Sequence, residues 1–446
     1  MPVSPADSAA AATGPELLPP PAPLLGFSAE EYQVRRSALR SACPNGIILL
    51  RGSTEDEVVN PARYRQNSTF LYFTGVETPG ASLVLLPSDL SAEIGVRGAT
   101  SDTREVLFLP ARNASVETWT GPKLGPGEDT ENATGIQKTA DAAQRNGALL
   151  SWIRHNPVVY TPTPFGENAR FSREYALIQH LQTIAAVVQV KDATVAIGRL
   201  RMVKSPAEVA KIVEAITVTQ AGQRAARNLI LSGAGRREYE AEAAALQAFR
   251  SAGASLSFGC IVGGGANATV LHYEDNNCTL QQGDLVVVDI GAKVDGYCGD
   301  LTRAYPVGGK FGTREREIYN LVLEAHKQTV SGYKPGETLQ DLTDRCKAFY
   351  RESPIRARNA AGEEQTMDNF MPHSLSHHLG LDVHDVGDRE TALAPGHVIT
   401  VEPGIYIPSE KIGVRIEDDY LITEEGMALL GPPLEWEIEE LEALSK

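Results

Sequence analysis

Two stretches of this chain repeat one pattern without a gap. "GDLVVVDIG" runs from Gly283 to Gly291, and "GHVITVEPG" runs from Gly396 to Gly404. Each opens on a glycine, continues through a β-branched strand, meets an acid six residues after that glycine, and closes on another glycine. The acids are Asp289 and Glu402. β-Branched runs suit strands, and a carboxylate at the end of a buried strand is costly unless it is paired or coordinates a cation. Each stretch is followed by a second strand-like segment with its own acid, Asp300 in "GYCGDLTRAYPV" and Glu417 in "IGVRIEDDYLIT". The Asp-Gly of "VDGY" signals a hairpin. The pattern predicts an α+β domain of two similar halves, each offering two carboxylates from a hairpin, about a pseudo-twofold axis. A bland reading stands beside it: the repeat is short, and the acids could reach solvent or pair with Arg303 or Arg415.

Between the two repeats lies "HSLSHHLGLDVHDVG", which places His373, His377, His378 and His384, four of the nine histidines, in twelve positions. The zinc-protease pattern HExxH is absent, because no Glu lies between His373 and His377. The segment alternates like a strand, which predicts opposite faces for His377 and His384, so the four need not share a role. His378 reads as a surface neighbour and His397 as the residue before a strand. His155, His180 and His326 have no motif around them and read as structural or exposed. Four carboxylates and one imidazole are a hard, oxygen-rich set, suited to a pair of divalent ions such as Mn, Fe or Co. Two ions about 3.5–4 Å apart activate a water for hydrolysis. Spacing alone does not name the bond that is cut.

The rest of the chain frames this centre. Its 446 residues predict two domains. A formal charge of -16 argues against nucleic acid and anionic membrane surfaces as partners. No apolar run reaches membrane-spanning length. The five cysteines are scattered without a CxxC, which predicts reduced thiols in the cytoplasm, with Cys260, Cys278 and Cys298 as small core residues. Residues 1–26 are Ala/Pro-rich, lack Lys and Arg, and read as a disordered tail without the basic start of a secretory signal. Order is expected from "FSAEEY", where Ser28 and Glu31 make a capping box and Phe27 and Tyr32 a hydrophobic staple. Apolar runs at "GIILLRG", "FLYFTG", "ASLVLLP", "EVLFLP" and "VVYTP" alternate with turn-rich and helical pieces, which reads as an α/β domain over 27–195. A second domain over 196–446 opens at "KSPAEVAKIVEAI", with Ser205, Pro206 and Glu208 as the start signal. Long helices are expected over Pro206–Leu231, Arg237–Ala252, Thr313–Tyr333 and Thr338–Tyr350, and a surface helix in the acidic end "EWEIEELEALSK".

The order Asp289, Asp300, His377, Glu402, Glu417, set in "VVDIGAKVDGYCGDLTR", "SLSHHLGLDVHD", "TVEPGIY" and "VRIEDD", resembles the pita-bread metallopeptidases. Within them it most resembles Xaa-Pro aminopeptidases (aminopeptidase P), with Xaa-Pro dipeptidases (prolidases) close behind. "YRQNSTFLYFTG" is similar to the mixed-sheet N-terminal domain shared by creatinase and aminopeptidase P, and "KSPAEVAKI" and "GKFGTREREIYNLVLEA" extend the likeness over nearly all of the chain beyond the tail. The resemblance implies two divalent ions, usually Mn2+, with Co2+, Fe2+ or Zn2+ as substitutes. Asp289 would chelate one, His377 and Glu402 the other, and Asp300 and Glu417 would bridge. Glu402 would also carry the proton, His384 would polarise the scissile carbonyl, and His272 would be a second substrate histidine. His373 and Arg415 would line the proline side. Peptides with an Xaa-Pro N-terminus would be the substrates, in a homodimer or homotetramer. Ser374, where the family often has Gly, Phe258, where many members have Tyr, and a short loop after "IYIPSEK" depart from the pattern and bear on substrate preference. A prolidase would share every catalytic residue. A binding module that had lost activity would be expected to lose ligands, and all five are present.

Overall fold

The computed structural model describes residues 17, 19–23, 25–54, 64–163, 173–233 and 235–445. Most of the tail expected over 1–26 lies outside these residues. Two units divide between Ile197 and Gly198.

The first unit is built on six strands: β1 (Ile47–Arg51), β2 (Ser82–Leu85), β3 (Glu105–Leu109), β4 (Lys138–Asp141), β5 (Val158–Thr161) and β6 (Gln189–Asp192). They form one mixed sheet in the order β4-β3-β2-β1-β5-β6. The β1–β2 and β2–β3 pairs are antiparallel, and the remaining three pairs are parallel. The helices are α1 (Ala29–Ala42), α2 (Ser68–Thr74), α3 (Ala114–Thr120), α4 (Glu128–Thr134), α5 (Arg145–Ile153) and α6 (Arg173–Ile184). Ile47, Leu49, Val84, Val106, Phe108 and Trp152 belong to the core. One apolar run, "FLYFTG", is helical. Asn67 Oδ1 accepts from Phe70 N at 2.9 Å, and Gly75 closes the helix in the left-handed region at φ 67°. Caps at both ends decide what apolarity leaves open. Behind this helix Arg36 is fully buried. Its Nε donates to Glu105 Oε2 at 2.8 Å, and its other nitrogens donate to the carbonyls of Phe73, Thr134 and Gly135.

The division falls inside α7 (Thr194–Met202). The second unit then opens with α8 (Pro206–Leu231), whose capping box is complete: Glu208 N donates to Ser205 Oγ and Ser205 N donates to Glu208 Oε2. Next come α9 (Glu238–Ser251), β7 (Ser255–Leu256), β8 (Ile261–Gly264), β9 (Leu285–Ile290), β10 (Ala292–Val294), β11 (Tyr297–Cys298) and β12 (Leu301–Pro306). They are followed by α10 (Thr313–Ser331), α11 (Leu339–Glu352), β13 (Arg356–Arg358) and β14 (Glu364–Thr366). The last elements are β15 (Val398–Val401), β16 (Gly404–Ile407), β17 (Ile412–Arg415), β18 (Asp418–Ile422), β19 (Met427–Leu429) and α12 (Ile438–Ala443).

Both acid-bearing repeats form antiparallel pairs, β9 with β12 and β15 with β18. Helices α8 and α9 pack on the first pair and its neighbours, and α10 packs on the strands of the second half. The halves meet at a bridge between Thr302 and Glu417. The result is the pita-bread arrangement, with its core running through Val286, Val288, Ile399, Val401 and Val414. In α12, Ile438 and Leu441 turn inward while the acids between them face out.

Among the described residues no helix is long and apolar enough to cross a membrane. All five cysteines are free. Cys43, Cys260, Cys298 and Cys346 are buried, but Cys278 is exposed, with its backbone N–H donating to Glu238 and its thiol 3.6 Å from Asn277 Oδ1.

Arg36 and Glu105 give a direct test of the first unit. Arg36→Met leaves a buried carboxylate without its partner, and we expect a loss of about 3–5 kcal/mol in chemical denaturation. Arg36→Met combined with Glu105→Gln should recover part of that loss, since the stranded charge is gone.

Candidate metal centre

Five side chains reach the floor of one cavity of about 540 Å3: Asp289, Asp300, His377, Glu402 and Glu417. Asp289 lies one residue from the end of β9, opposite Thr302 of β12. Asp300 precedes β12, Glu402 follows β15, and Glu417 sits between β17 and β18. Backbone hydrogen bonds fix each position. Asp300 N donates to Asp419 Oδ2 at 3.0 Å, Glu402 N to the Leu375 carbonyl at 2.9 Å, and Glu417 N to the Thr302 carbonyl at 3.0 Å. His377 is bracketed by Thr400, which receives the His377 N–H on Oγ1 at 3.2 Å and returns its own N–H to the His377 carbonyl at 3.0 Å. His377 Nδ1 lies 3.1 Å from the His378 carbonyl, so that tautomer leaves Nε2 facing the acids. Nε2 is 3.5 Å from Asp300 Oδ2 and 3.6 Å from Glu402 Oε1.

Asp300, His377 and Glu417 each offer a ligand atom within 4.8 Å of the others. Asp289 is held by Arg415, whose Nη2 donates to Asp289 Oδ2 at 2.5 Å. The simple pairing considered for Arg303 falls instead on Asp418, at 2.8 Å.

The crowding shows in the proton affinities. Burial, and then the neighbouring Asp289, push Asp300 up to about 6. Burial, with Asp300 and Asp289 adding to it, raises Glu402 to about 7. Burial followed by the same acids drives Glu417 well above the carboxylate range. Burial pulls His377 down, but Asp300 and Glu402 outweigh it and hold the imidazole at about 9. Asp289 Oδ1 and Asp300 Oδ1 are buried without a hydrogen-bond partner. Buried acids that repel one another, with unpartnered oxygens, are what divalent cations relieve. The donor set is hard and carries four carboxylates and one imidazole, so the residues present fit a pair of such ions.

The remaining histidines divide differently from the pattern in the sequence. Residues 373–387 form no strand. The chain turns back on itself, with Gly380 N donating to the Asp382 carbonyl and Asp385 N to the His378 carbonyl. His377 and His384 therefore meet instead of facing apart, with ring centroids 4.4 Å from each other. His384 and His272 both line the cavity. Burial, then the neighbouring His377 and His272, lower His384 from its ordinary value and keep it neutral. His378 is not a surface residue. It is buried, and its ring stands 5.5 Å from that of His397. Gly387 explains the fit, since a side chain there would run into the His378 ring.

His373 and Arg415 are joined by a residue the sequence pattern passed over. Arg415 Nη1 donates to Tyr406 Oη at 2.7 Å, and Tyr406 Oη lies 3.0 Å from His373 Nε2. The only available signal was a lone hydroxyl in the apolar strand "GIYI". Thr302 was also missed. It donates to Glu417 Oε2 at 2.6 Å and receives Arg415 Nε at 3.2 Å. Ser374 and Phe258, the two departures in sequence, both line the cavity.

Removing one buried charge should ease the crowding. In metal-stripped protein we expect Glu417→Gln to raise stability by roughly 1–2 kcal/mol. Metal added to both proteins should raise the melting temperature of the parent more than that of the variant, read by differential scanning calorimetry.

Comparison with known proteins covers both units. Residues 210–424 match the model for metallopeptidase family M24, and residues 32–160 match the aminopeptidase P N-terminal domain. The Xaa-Pro aminopeptidase of Escherichia coli K12 is 34% identical, over 94% of this chain and 98% of its own length. The mitochondrial intermediate cleaving peptidase 55 of Arabidopsis thaliana is 31% identical, over 94% of this chain and 83% of its own. The structure of proline aminopeptidase P II from Yersinia pestis superposes with a TM-score of 0.80 at 29% identity, covering 94% of this chain and 99% of that one. The chain thus belongs to metallopeptidase family M24, with an aminopeptidase P N-terminal domain ahead of the catalytic one.

Proposed function

We propose that this chain is a dimetal Xaa-Pro aminopeptidase, which releases the first residue from peptides whose second residue is proline. The observation that carries the reading is the convergence of two acids from each half and one imidazole on the floor of a single cleft. The full-length likeness to an Escherichia coli Xaa-Pro aminopeptidase supports the bond it cuts. That bond needs a dedicated site, because the proline nitrogen carries no hydrogen and the ring fixes the local backbone.

Asp289, Asp300, His377, Glu402 and Glu417 would hold the two divalent cations, Mn2+ first among Mn2+, Co2+, Fe2+ and Zn2+. When bound, such a pair supplies Lewis-acid charge and lowers the pKa of water. Glu402 takes the proton of the attacking water and returns it to the proline nitrogen as the bond breaks. His384 is a neutral imidazole at pH 7 and donates to the scissile carbonyl oxygen as charge develops there. His272 holds the substrate beside it. His373 and Arg415, tied through Tyr406, form the proline side. Arg415 also keeps Asp289 in place through the 2.5 Å contact, so it serves the centre as well as the substrate. The enzyme works in the cytoplasm, where its five unpaired cysteines stay reduced, and as a homodimer or homotetramer.

Two substitutions separate holding metal from using it. His377→Ala should lose metal, measured by elemental mass spectrometry of the dialysed protein. His384→Ala should keep its metal and lose at least about 100-fold in kcat, in line with removal of one donor to a developing oxyanion. Product analysis tests the reading itself: Mn-loaded protein should release Arg from Arg-Pro-Pro at least as fast as it cleaves Ala-Pro. Cleavage of Ala-Pro alone would make it a prolidase, and cleavage of neither peptide would end the proline-directed reading.

A further inference from the structure

Glu274 lines the same cavity as Asp289, two residues beyond His272, and the mechanism makes no use of it. Its loop is held on both sides. Glu238 is fully buried at the start of α9. Its carboxylate accepts from Gly264 N at 2.8 Å, Asn267 Nδ2 at 2.9 Å, Tyr273 Oη at 2.9 Å and Cys278 N at 2.8 Å. Asn276, in the left-handed region at φ 46°, accepts from Val262 N at 2.9 Å and donates to the Cys260 carbonyl at 2.9 Å. The backbone between these two staples is fixed, and Glu274 itself points outward from it, exposed.

The carboxylate lies over Gly259. A Cβ built on Gly259 would sit 2.6 Å from Glu274 Cδ and 2.8 Å from both oxygens, so glycine at 259 is what leaves room for it. Gly259 belongs to the segment that runs beside the first acid of the metal centre. Ile261 pairs directly with Asp289, and Ser257 N donates to the Gly291 carbonyl. Glu274 and Asp289 line one cavity. Cys260 lies between them. Its thiol is pushed up to about 12 by burial, then by Glu242, Asp289 and Glu274. Among the described residues Glu274 has no hydrogen-bonding or ion-pair partner.

Phe258 and Leu271 line the same cavity as Glu274 and add apolar surface to it. Apolar surface together with an exposed carboxylate matches a long aliphatic stem with a cation at its tip. With the scissile carbonyl over the metal centre and the proline held at His373 and Arg415, the residue before the proline is the one left to lie along this wall.

We propose that Glu274 is a specificity-determining residue that selects arginine or lysine as the first residue of the substrate. The inference rests on the Xaa-Pro aminopeptidase reading and names its preferred substrate class. The test is kcat/KM for Arg-Pro-Pro and Leu-Pro-Pro with Mn-loaded parent protein, Glu274→Gln and Glu274→Lys. The parent should favour the arginine peptide by about tenfold or more, as a charge-assisted hydrogen bond in a cleft provides. Glu274→Gln should bring the ratio close to one, with the change in KM. Glu274→Lys should reverse the order and favour Leu-Pro-Pro over Arg-Pro-Pro. An unchanged ratio in Glu274→Gln overturns the proposal while leaving the reaction intact. An equal loss on both tripeptides also overturns it, because it assigns the carboxylate to the α-ammonium group that every substrate carries. Cleavage of neither tripeptide by the parent overturns the aminopeptidase reading, and this proposal with it.

Discussion

Asp300 and Glu417, both buried, and the half-buried Glu402 lie so close together that each opposes the ionisation of the others. A fold gains nothing from such a cluster until cations enter it. The surrounding residues act to keep it assembled in the meantime. Thr302 donates to Glu417, Asp419 receives the Asp300 N–H, and Arg415 clamps Asp289. Thr302 matters twice, since its backbone also carries the bridge that joins the two halves. The join between the hairpins and the alignment of the acids are therefore one structural fact. Binding metal and completing the domain draw on the same contacts, so metal occupancy and stability rise together.

The acids were legible because a buried β-branched strand leaves a terminal carboxylate so few satisfactory fates. The repeat "GDLVVVDIG" and "GHVITVEPG" put Asp289 and Glu402 at matching points, and the strands form where that pattern requires. The helix starts were legible too, because Ser205, Pro206 and Glu208 act on their own local backbone. What stayed hidden depended on contacts distant in sequence. Tyr406 joins His373 to Arg415 across 33 and 9 residues, and no local pattern records that. "HHLGLDVHDV" alternates like a strand, but only its first residues, His377 to Leu379, bond to β15. Beyond them Gly380 N donates to the Asp382 carbonyl and Asp385 N to the His378 carbonyl, and the chain folds back, which brings His384 to His377. "FLYFTG" went the other way, because its caps outweighed its apolarity.

The run "EDD" at 417–419 shows how finely the backbone distributes equivalent side chains. Glu417 enters the metal centre, Asp418 neutralises the buried Arg303, and Asp419 anchors the Asp300 backbone. Three adjacent acids, all buried, do three separate jobs. Charge count alone would have assigned them to a solvated surface.

Glu238 has a consequence for how such an enzyme changes over generations. It grips the 264–278 loop through the amides of Gly264 and Cys278 and the side chains of Asn267 and Tyr273, none of which lines the cleft. The loop keeps its shape whichever side chain occupies position 274. Selectivity for the first residue can drift by single substitutions there, while His272 stays where it is and the chemistry goes on. The domain thus separates an inherited frame from an adjustable edge, and lineages can acquire new diets without rebuilding the tool that digests them.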